Sequence, residues 1–235
     1  MNSEELLALM QPVWSVELTD RAIALLIERG RKIHYKLGDV IVRQGDRSKG
    51  LHIILKGQAE VVVLRPSGKE LVINILGPGQ GYSFLHLYHS EPHSSSLIAR
   101  NHCEILTIDK KQWLQTTQEC PELKDAVIVT LTHRLRAVLE ELTFSNLSTG
   151  LARLAHRLLT YVLQNGMNEI KSDIATNYQI PLTQMHLATM LSLSRQRTHA
   201  LLHQLVSHGA IELRYGSIVI LSVAALREII AKSES

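Results

Sequence analysis

Cysteine is scarce: Cys103 and Cys120 are the only two among 235 residues, which excludes a disulfide framework and a four-thiolate metal site built by one chain. Aromatic residues are scarce as well. Only ten are Phe, Trp or Tyr, and Tyr215 is the single one beyond Tyr178, so a surface that stacks unpaired bases is not expected in the C-terminal part. No apolar run approaches the roughly 18 to 20 residues that span a bilayer. Residues 1–10 carry Glu4 and Glu5 where a leader would have basic residues. Phosphate-cradling glycine loops, HExxH and GxSxG motifs and solenoid repeats are also missing. The expectation is a soluble, cytoplasmic protein that is not an enzyme and does not touch a membrane.

At 45% hydrophobic and 20% charged the chain has the composition of a globular protein with a substantial core. Its formal charge is +3, and that excess is local. Residues 1–148 hold 17 basic and 17 acidic side chains, whereas residues 149–235 hold 8 and 5. The C-terminal part is therefore the segment expected to meet an anionic partner.

Nine of the thirteen glycines fall between Gly30 and Gly81, and none between Tyr82 and Thr149. Between them lie short β-branched or alternating runs, Val40–Val42, Leu51–Leu55, Ala59–Leu64 and Leu71–Leu76, followed by Ser96–Ala99 and Cys103–Ile108. Short strands at this spacing predict an antiparallel sandwich or barrel. After Pro121 the apolar period changes. Ile128, Leu131, Leu135, Val138 and Leu142 are spaced 3, 4, 3, 4, an a/d seam that predicts a helix suited to self-association, with Ala126, Val127 and Leu139 turned to the barrel. A second helix is expected from Gly150 to Leu163, then a polar loop over 164–179. The Asn146-Leu147-Ser148 sequon is read as chance.

Thr183 can cap a short helix containing Met185, Leu187, Met190 and Leu191, and Ser194 can cap a second one that runs to His208 and ends at Gly209. Two short helices joined by about three residues form a helix-turn-helix. At about 100° per residue, Thr198, Leu201, Leu202 and Leu205 share the face that packs inward. The opposite face presents Gln196, His199, Ala200, His203 and Ser207, flanked by Arg195 and Arg197. No acid occurs from Arg195 to Ala210. Arginine at the positive end of a helix dipole is unfavourable unless an anion sits there, and polar readers between cations suit the major groove of duplex DNA. Ala210–Leu213 and Ile218–Leu221 flank a turn, completing a winged helix.

In this order the pieces resemble the cyclic-AMP receptor protein and FNR (CRP/FNR) family of bacterial transcription regulators. The carriers are Gly38-Asp39, Gln44-Gly45-Asp46, Leu51 to Gly57 with Ala59 to Val63, and Leu76-Gly77-Pro78-Gly79. In the second half they are Leu187-Ala188, Ser192 to Gln196, Leu201 to Leu205 and Gly209-Ala210-Ile211. The resemblance implies an α+β chain. Residues 1–120 would form an antiparallel β-roll sensor, a double-stranded β-helix like a cyclic-nucleotide-binding domain, 121–146 a dimerisation helix and 147–235 a winged-helix domain. It further implies a homodimer on a palindromic operator, with RNA polymerase as a partner, and an effector pocket around Gly79, Gly81, Tyr82, Ser83, Phe84, Leu85, His93, Ser94 and Ser95.

The departures from the family pattern are specific. Ser83-Phe84 stand where cyclic-nucleotide binders have Gly-Glu, and no Lys or Arg occurs from Tyr82 to Ala99, so a buried phosphate would lack its cation. Cyclic AMP is not expected as effector, and two cysteines are too few for an iron–sulfur cluster. Haem stays open through His86, His89 and His93, as do an apolar effector lined by Phe84, Leu85, Leu87 and Tyr88 and a thiol sensor. A regulator with a degenerate sensor, or a cupin-like metalloenzyme using the three histidines, are the alternatives. Among the family's DNA-reading positions, Arg195 matches, Gln196 replaces Glu and Ala200 replaces Arg.

Overall fold

The computed structural model describes residues 2–14, 16–89, 91–147, 149–164, 177–180, 182–191 and 193–233. Most of the polar loop expected over 164–179, together with Ser148, Pro181 and Ser192, lies outside them. The chain forms two compact units, Met1–Leu135 and Arg136–Ser235.

The first unit opens with two helices, α1 (Ser3–Trp14) and α2 (Asp20–Arg29). Leu6, Met10 and Trp14 repeat every four residues, so one stripe of α1 is buried completely. The two sheets follow. The first has strand order β1 (Arg31–Tyr35), β8 (Cys103–Asp109), β3 (Gly50–Lys56), β6 (Gly81–Tyr82), and the second β2 (Val40–Val42), β7 (Ser96–Ala99), β4 (Ala59–Leu64), β5 (Glu70–Leu76). Every pairing is antiparallel. The six strands read from the sequence are present within a residue or so, while β1, polar and largely exposed at an edge, carries no period-two signal.

Strand β3 shows how the layers arise. Alternate residues leave opposite faces of a strand, so Leu51, Ile53 and Leu55 join Trp14, Leu26 and Trp113 in a core under the helices, while Ile54 joins Val61, Leu97 and Ile105 between the sheets. Helices α3 (Phe84–Tyr88), α4 (Lys110–Glu119) and α5 (Glu122–Leu147) complete this side. On α5, Ala126 and Val127 are buried against the first core. Ile128, Leu135, Val138 and Leu142 are more than half exposed, as the seam requires. Two positions differ from the expectation: Leu131 packs partly against the roll, and Leu139 is 55% exposed.

The second unit contains α6 (Gly150–Gln164), α7 (Gln184–Met190), α8 (Arg195–Ser207) and α9 (Val223–Ala231), with a sheet ordered β10 (Ile211–Arg214), β11 (Ser217–Ile220), β9 (Tyr178–Ile180). Ala152, Leu154, Leu158, Leu202, Leu205, Leu226 and Ile229 are buried there. Among the described residues no helix is long and apolar enough to cross a membrane.

Candidate nucleic-acid interface and sensor site

Both helices of the C-terminal pair are capped by the residues expected. Thr183 Oγ1 accepts from the His186 backbone N–H at 3.2 Å, and His186 Nδ1 accepts from the Thr183 N–H at 3.2 Å, a reciprocal box in which histidine does the work usually given to Glu. Ser194 Oγ accepts from the Arg197 N–H at 3.1 Å, and the Thr198 hydroxyl donates to the Ser194 carbonyl at 3.0 Å. Gly209 closes α8 in the left-handed region at φ +66°. Arg153 of α6 donates to the Leu191 carbonyl at 3.2 Å and so fixes the turn between the helices.

Thr198, Leu201, Leu202 and Leu205 are buried, and Arg195, Gln196, Arg197, His199 and His203 are all exposed. The reading face inferred from the sequence is therefore assembled on one side of α8. A cleft of about 460 Å³ lies between the N-terminal ends of α7 and α8 and the wing, lined among others by Thr183, Gln184, Arg195, Arg214 and Tyr215. At the wing tip Gly216 takes φ +70°, which leaves Tyr215 fully exposed. Beside it, Arg214 meets Glu212 through two hydrogen bonds of 2.8 and 3.2 Å. The sequence reading assigns neither wing residue to the interface; their signal is the two-residue turn between the strands. The arrangement offers cations and hydrogen-bonding groups to a polyanion, with carboxylates absent from α8.

The sensor residues fall into two groups. Gly79, Gly81 and Phe84 serve the helix side of the roll. A Cβ at Gly79, which sits at φ +82°, would lie 2.2 Å from the Leu9 carbonyl, and one at Gly81 would lie 2.4 Å from the Phe84 ring. Trp14 Nε1 donates to the Gly79 carbonyl at 2.9 Å and its ring packs edge-on to Phe84 at 5.2 Å. The other group faces the interior of the roll. Tyr82 OH donates to the Ser95 carbonyl at 2.8 Å and lies 2.9 Å from Ser95 Oγ, while His93 stacks on Tyr82 at 5.6 Å and meets His86 at 4.1 Å. Leu85 is 64% exposed and Tyr88 52%, and Ser94 is exposed. Of the expected apolar lining, these residues lie on the outside, and Phe84 and Leu87 belong to the core under the helices. The five-residue α3 turns successive side chains to different sides, so its apolar residues cannot all face inward.

The three histidines do not converge. His93 is buried and His86 half-buried, but His89 is exposed, its Nδ1 accepting from the Glu91 N–H at 3.3 Å. Among the described residues no group of three His, Cys, Asp or Glu is placed to hold a metal ion, so neither three-histidine metal chemistry nor a cupin-like enzyme finds its ligand set. Instead His52, which the sequence reading does not assign to the sensor pocket, enters the cluster from β3. It stands directly across from Tyr82 on β6 and Thr107 on β8, and its Nδ1 lies 3.1 Å from Thr107 Oγ1. Burial pushes His52 down to about 4, and His93 likewise to about 4, since neither can gain a charge without water; a neighbouring histidine adds to this in each case, His93 beside His52 and His86 beside His93. The Nδ1 atoms of His86 and His93 and the Oγ of Ser83 are buried without a hydrogen-bond partner. Ser83 also takes φ +83°, a left-handed conformation that suits glycine, the residue expected there in the family pattern.

Arg134 of α5 escaped the sequence reading altogether. Its Nη2 donates to the Gly81 carbonyl at 2.9 Å and its guanidinium lies 5.0 Å above the Phe84 ring. Burial lowers its pKa to about 10, so it stays charged at neutral pH. Cys103 and Cys120 are both buried, and burial raises both thiols, the reverse of a reactive thiolate.

Comparison with known proteins follows this division. The cyclic nucleotide-binding domain family matches residues 32–120, and the Crp-like helix-turn-helix domain family matches residues 152–229. Among curated proteins, the cyclic AMP receptor protein of Thermus thermophilus is 26% identical over 195 residues, covering 83% of this chain and 86% of the relative. The CRP-like cAMP-activated global transcriptional regulator of Mycobacterium tuberculosis is 24% identical over 202 residues, covering 85% and 88%. Among solved structures, a CooA variant from Carboxydothermus hydrogenoformans shares the fold at a TM-score of 0.70 and 18% identity, over 94% of this chain and 95% of that one. The c-di-GMP responsive regulator CLP of Xanthomonas campestris does so at 0.67 and 19%, over 86% and 98%.

Proposed function

Because the chain belongs to the CRP/FNR family of DNA-binding transcription regulators, we propose that it works as a homodimer on a palindromic operator, reading bases through α8 under control of an effector that is not cyclic AMP. The observation that carries the DNA half is the exposed, acid-free face of Arg195, Gln196, Arg197, His199 and His203 opposite a fully buried stripe. Arg195 reads guanine, and Gln196 favours adenine over the cytosine amino group that a Glu accepts from. Thr183 and Ser194, besides capping, stand where backbone phosphates pass. The apolar seam of Ile128, Leu135, Val138 and Leu142 covers its partner's copy, and the two α8 helices then reach half-sites one turn of DNA apart. RNA polymerase is the partner through which such a regulator acts, in the cytoplasm.

The effector half rests on charge. The relatives are named for cyclic AMP, but here the segment from Tyr82 to Ala99 offers no permanent cation, and the interior is occupied by Tyr82, His52 and His93 with both histidines neutral. A neutral or polar small molecule that completes the unpartnered nitrogens of His86 and His93 fits this lining better than a phosphodiester.

Selection of duplexes from a random pool by the full chain tests the first half. Two-fold-related half-sites about 10 base pairs apart are expected, and enrichment of unpaired single sites would overturn the dimeric reading. Calorimetry tests the second: micromolar binding of cyclic AMP or cyclic GMP would refute it.

A further inference from the structure

We propose that His199 and His203 form a binding site for a divalent transition-metal ion of the zinc class, and that the bound ion suppresses base reading by α8. The proposal rests on the assignment of α8 as the reading helix and deepens it. The two residues are four apart on one helix, so their side chains meet on one face. Their Nε2 atoms are 3.2 Å apart, with ring centroids at 4.4 Å and planes tilted by 50°. Two nitrogens bound to a tetrahedral zinc ion at about 2.0 to 2.1 Å each are about 3.3 Å from one another. The bite required by the ion is thus already present.

The protonation state fits as well. Two Nε2 atoms facing each other at 3.2 Å share one hydrogen, one ring donating and the other accepting, so at least one lone pair already points into the gap. Binding an ion requires only that the donor ring move its proton from Nε2 to Nδ1, through water. Nitrogen ligands select zinc, nickel or copper over magnesium and calcium, which require oxygen.

Both histidines are exposed, and among the described residues no third His, Cys, Asp or Glu completes the set. The remaining coordination positions are open to water, and the site is weaker and more exchangeable than a closed structural one. That suits a regulator. A hydrated ion would take over the Nε2 edges and separate them from the bases, while its charge keeps the attraction to phosphate. Discrimination between sequences should therefore fall more than total affinity.

Two measurements on the full chain test this. In the absence of DNA, copper(II) added as a probe should give an electron paramagnetic resonance signal with two imidazole nitrogens, and His203→Gln and His199→Gln should each remove that one component while leaving copper bound elsewhere unchanged. With zinc chloride at about 100 µM, the preference of the wild-type protein for a pool-selected duplex over a scrambled one should fall roughly tenfold, within the usual span of allosteric coupling, and that of His203→Gln should not change. A copper spectrum identical in wild type and both variants overturns the site. An unaltered preference with the two-nitrogen signal present overturns its control of reading. If instead the variants read DNA as well as wild type in zinc-free buffer, the assignment of these two histidines as base readers fails, and the spectrum alone then decides the metal site.

Discussion

Arg134 and Gly81 are joined by a 2.9 Å hydrogen bond from guanidinium to carbonyl, with Phe84 beneath the cation at 5.0 Å. This bond ties the helix that carries the apolar seam to the strand that opens the sensor segment. Both ends are held: Phe84 by Trp14 and by the absent side chain of Gly81, Arg134 by α5. Tyr82, the next residue of β6, thus lies one peptide from a carbonyl that α5 holds.

Removing the cation should loosen that connection. Arg134→Met keeps the apolar stem but loses the charged hydrogen bond and the ring contact, which together should destabilise the chain by about 1 to 3 kcal/mol. Chemical denaturation measures it. Arg134→Lys should recover part of the loss, since it keeps charge but not the flat stacking on Phe84.

Ser83 holds a left-handed backbone and a buried hydroxyl with no partner. Ser83→Gly should relieve both, and after the greater entropy of unfolded glycine is subtracted the net gain should be about 0.5 to 1 kcal/mol. A midpoint of unfolding unchanged or lowered by this substitution would contradict the account.

Acid should destabilise the roll through its histidines. His52 and His93 titrate near 4 when folded and near 6.5 when unfolded, so between those values the unfolded chain binds more protons. Their contribution is complete above pH 6.5 and is lost as pH falls toward 4, on the order of several kcal/mol for the pair. Thermal unfolding from pH 7.5 to 4 measures the slope, and His93→Phe should flatten it.

The seam on α5 is tested by charge. Leu135 is 60% exposed and Val138 54%, so Leu135→Asp with Val138→Asp should leave the thermal stability of the roll nearly unchanged and yield monomers by sedimentation. Loss of affinity for a palindromic duplex, with weak half-site binding retained, should accompany it.

Arg195 is exposed at the first turn of α8. Arg195→Ala should weaken operator binding by about 1 to 3 kcal/mol and relax preference at one guanine. Uniform weakening on every duplex would make Arg195 a phosphate contact.

What can be read from the chain before folding is whatever repeats along it. The 3, 4, 3, 4 spacing marked α5, the polar caps Thr183 and Ser194 marked α7 and α8, and alternation marked six strands, because each signal is local and set by helix or strand geometry. The reading face of α8 followed from the same period. Strand β1 and helix α3 escaped because a polar edge strand and a five-residue helix have no period to show.

The sequence by itself determined that the charge excess lies in a winged-helix segment and that the sensor segment carries no cation of its own. Tertiary structure decided which histidines meet. Strand register sets His52 across from Tyr82, on whose ring His93 stacks, His89 leaves for the surface, and Arg134 supplies from another helix the cation missing from the segment, on its outer side. Such pairings depend on how sheets and helices stack, and no spacing along a chain records that.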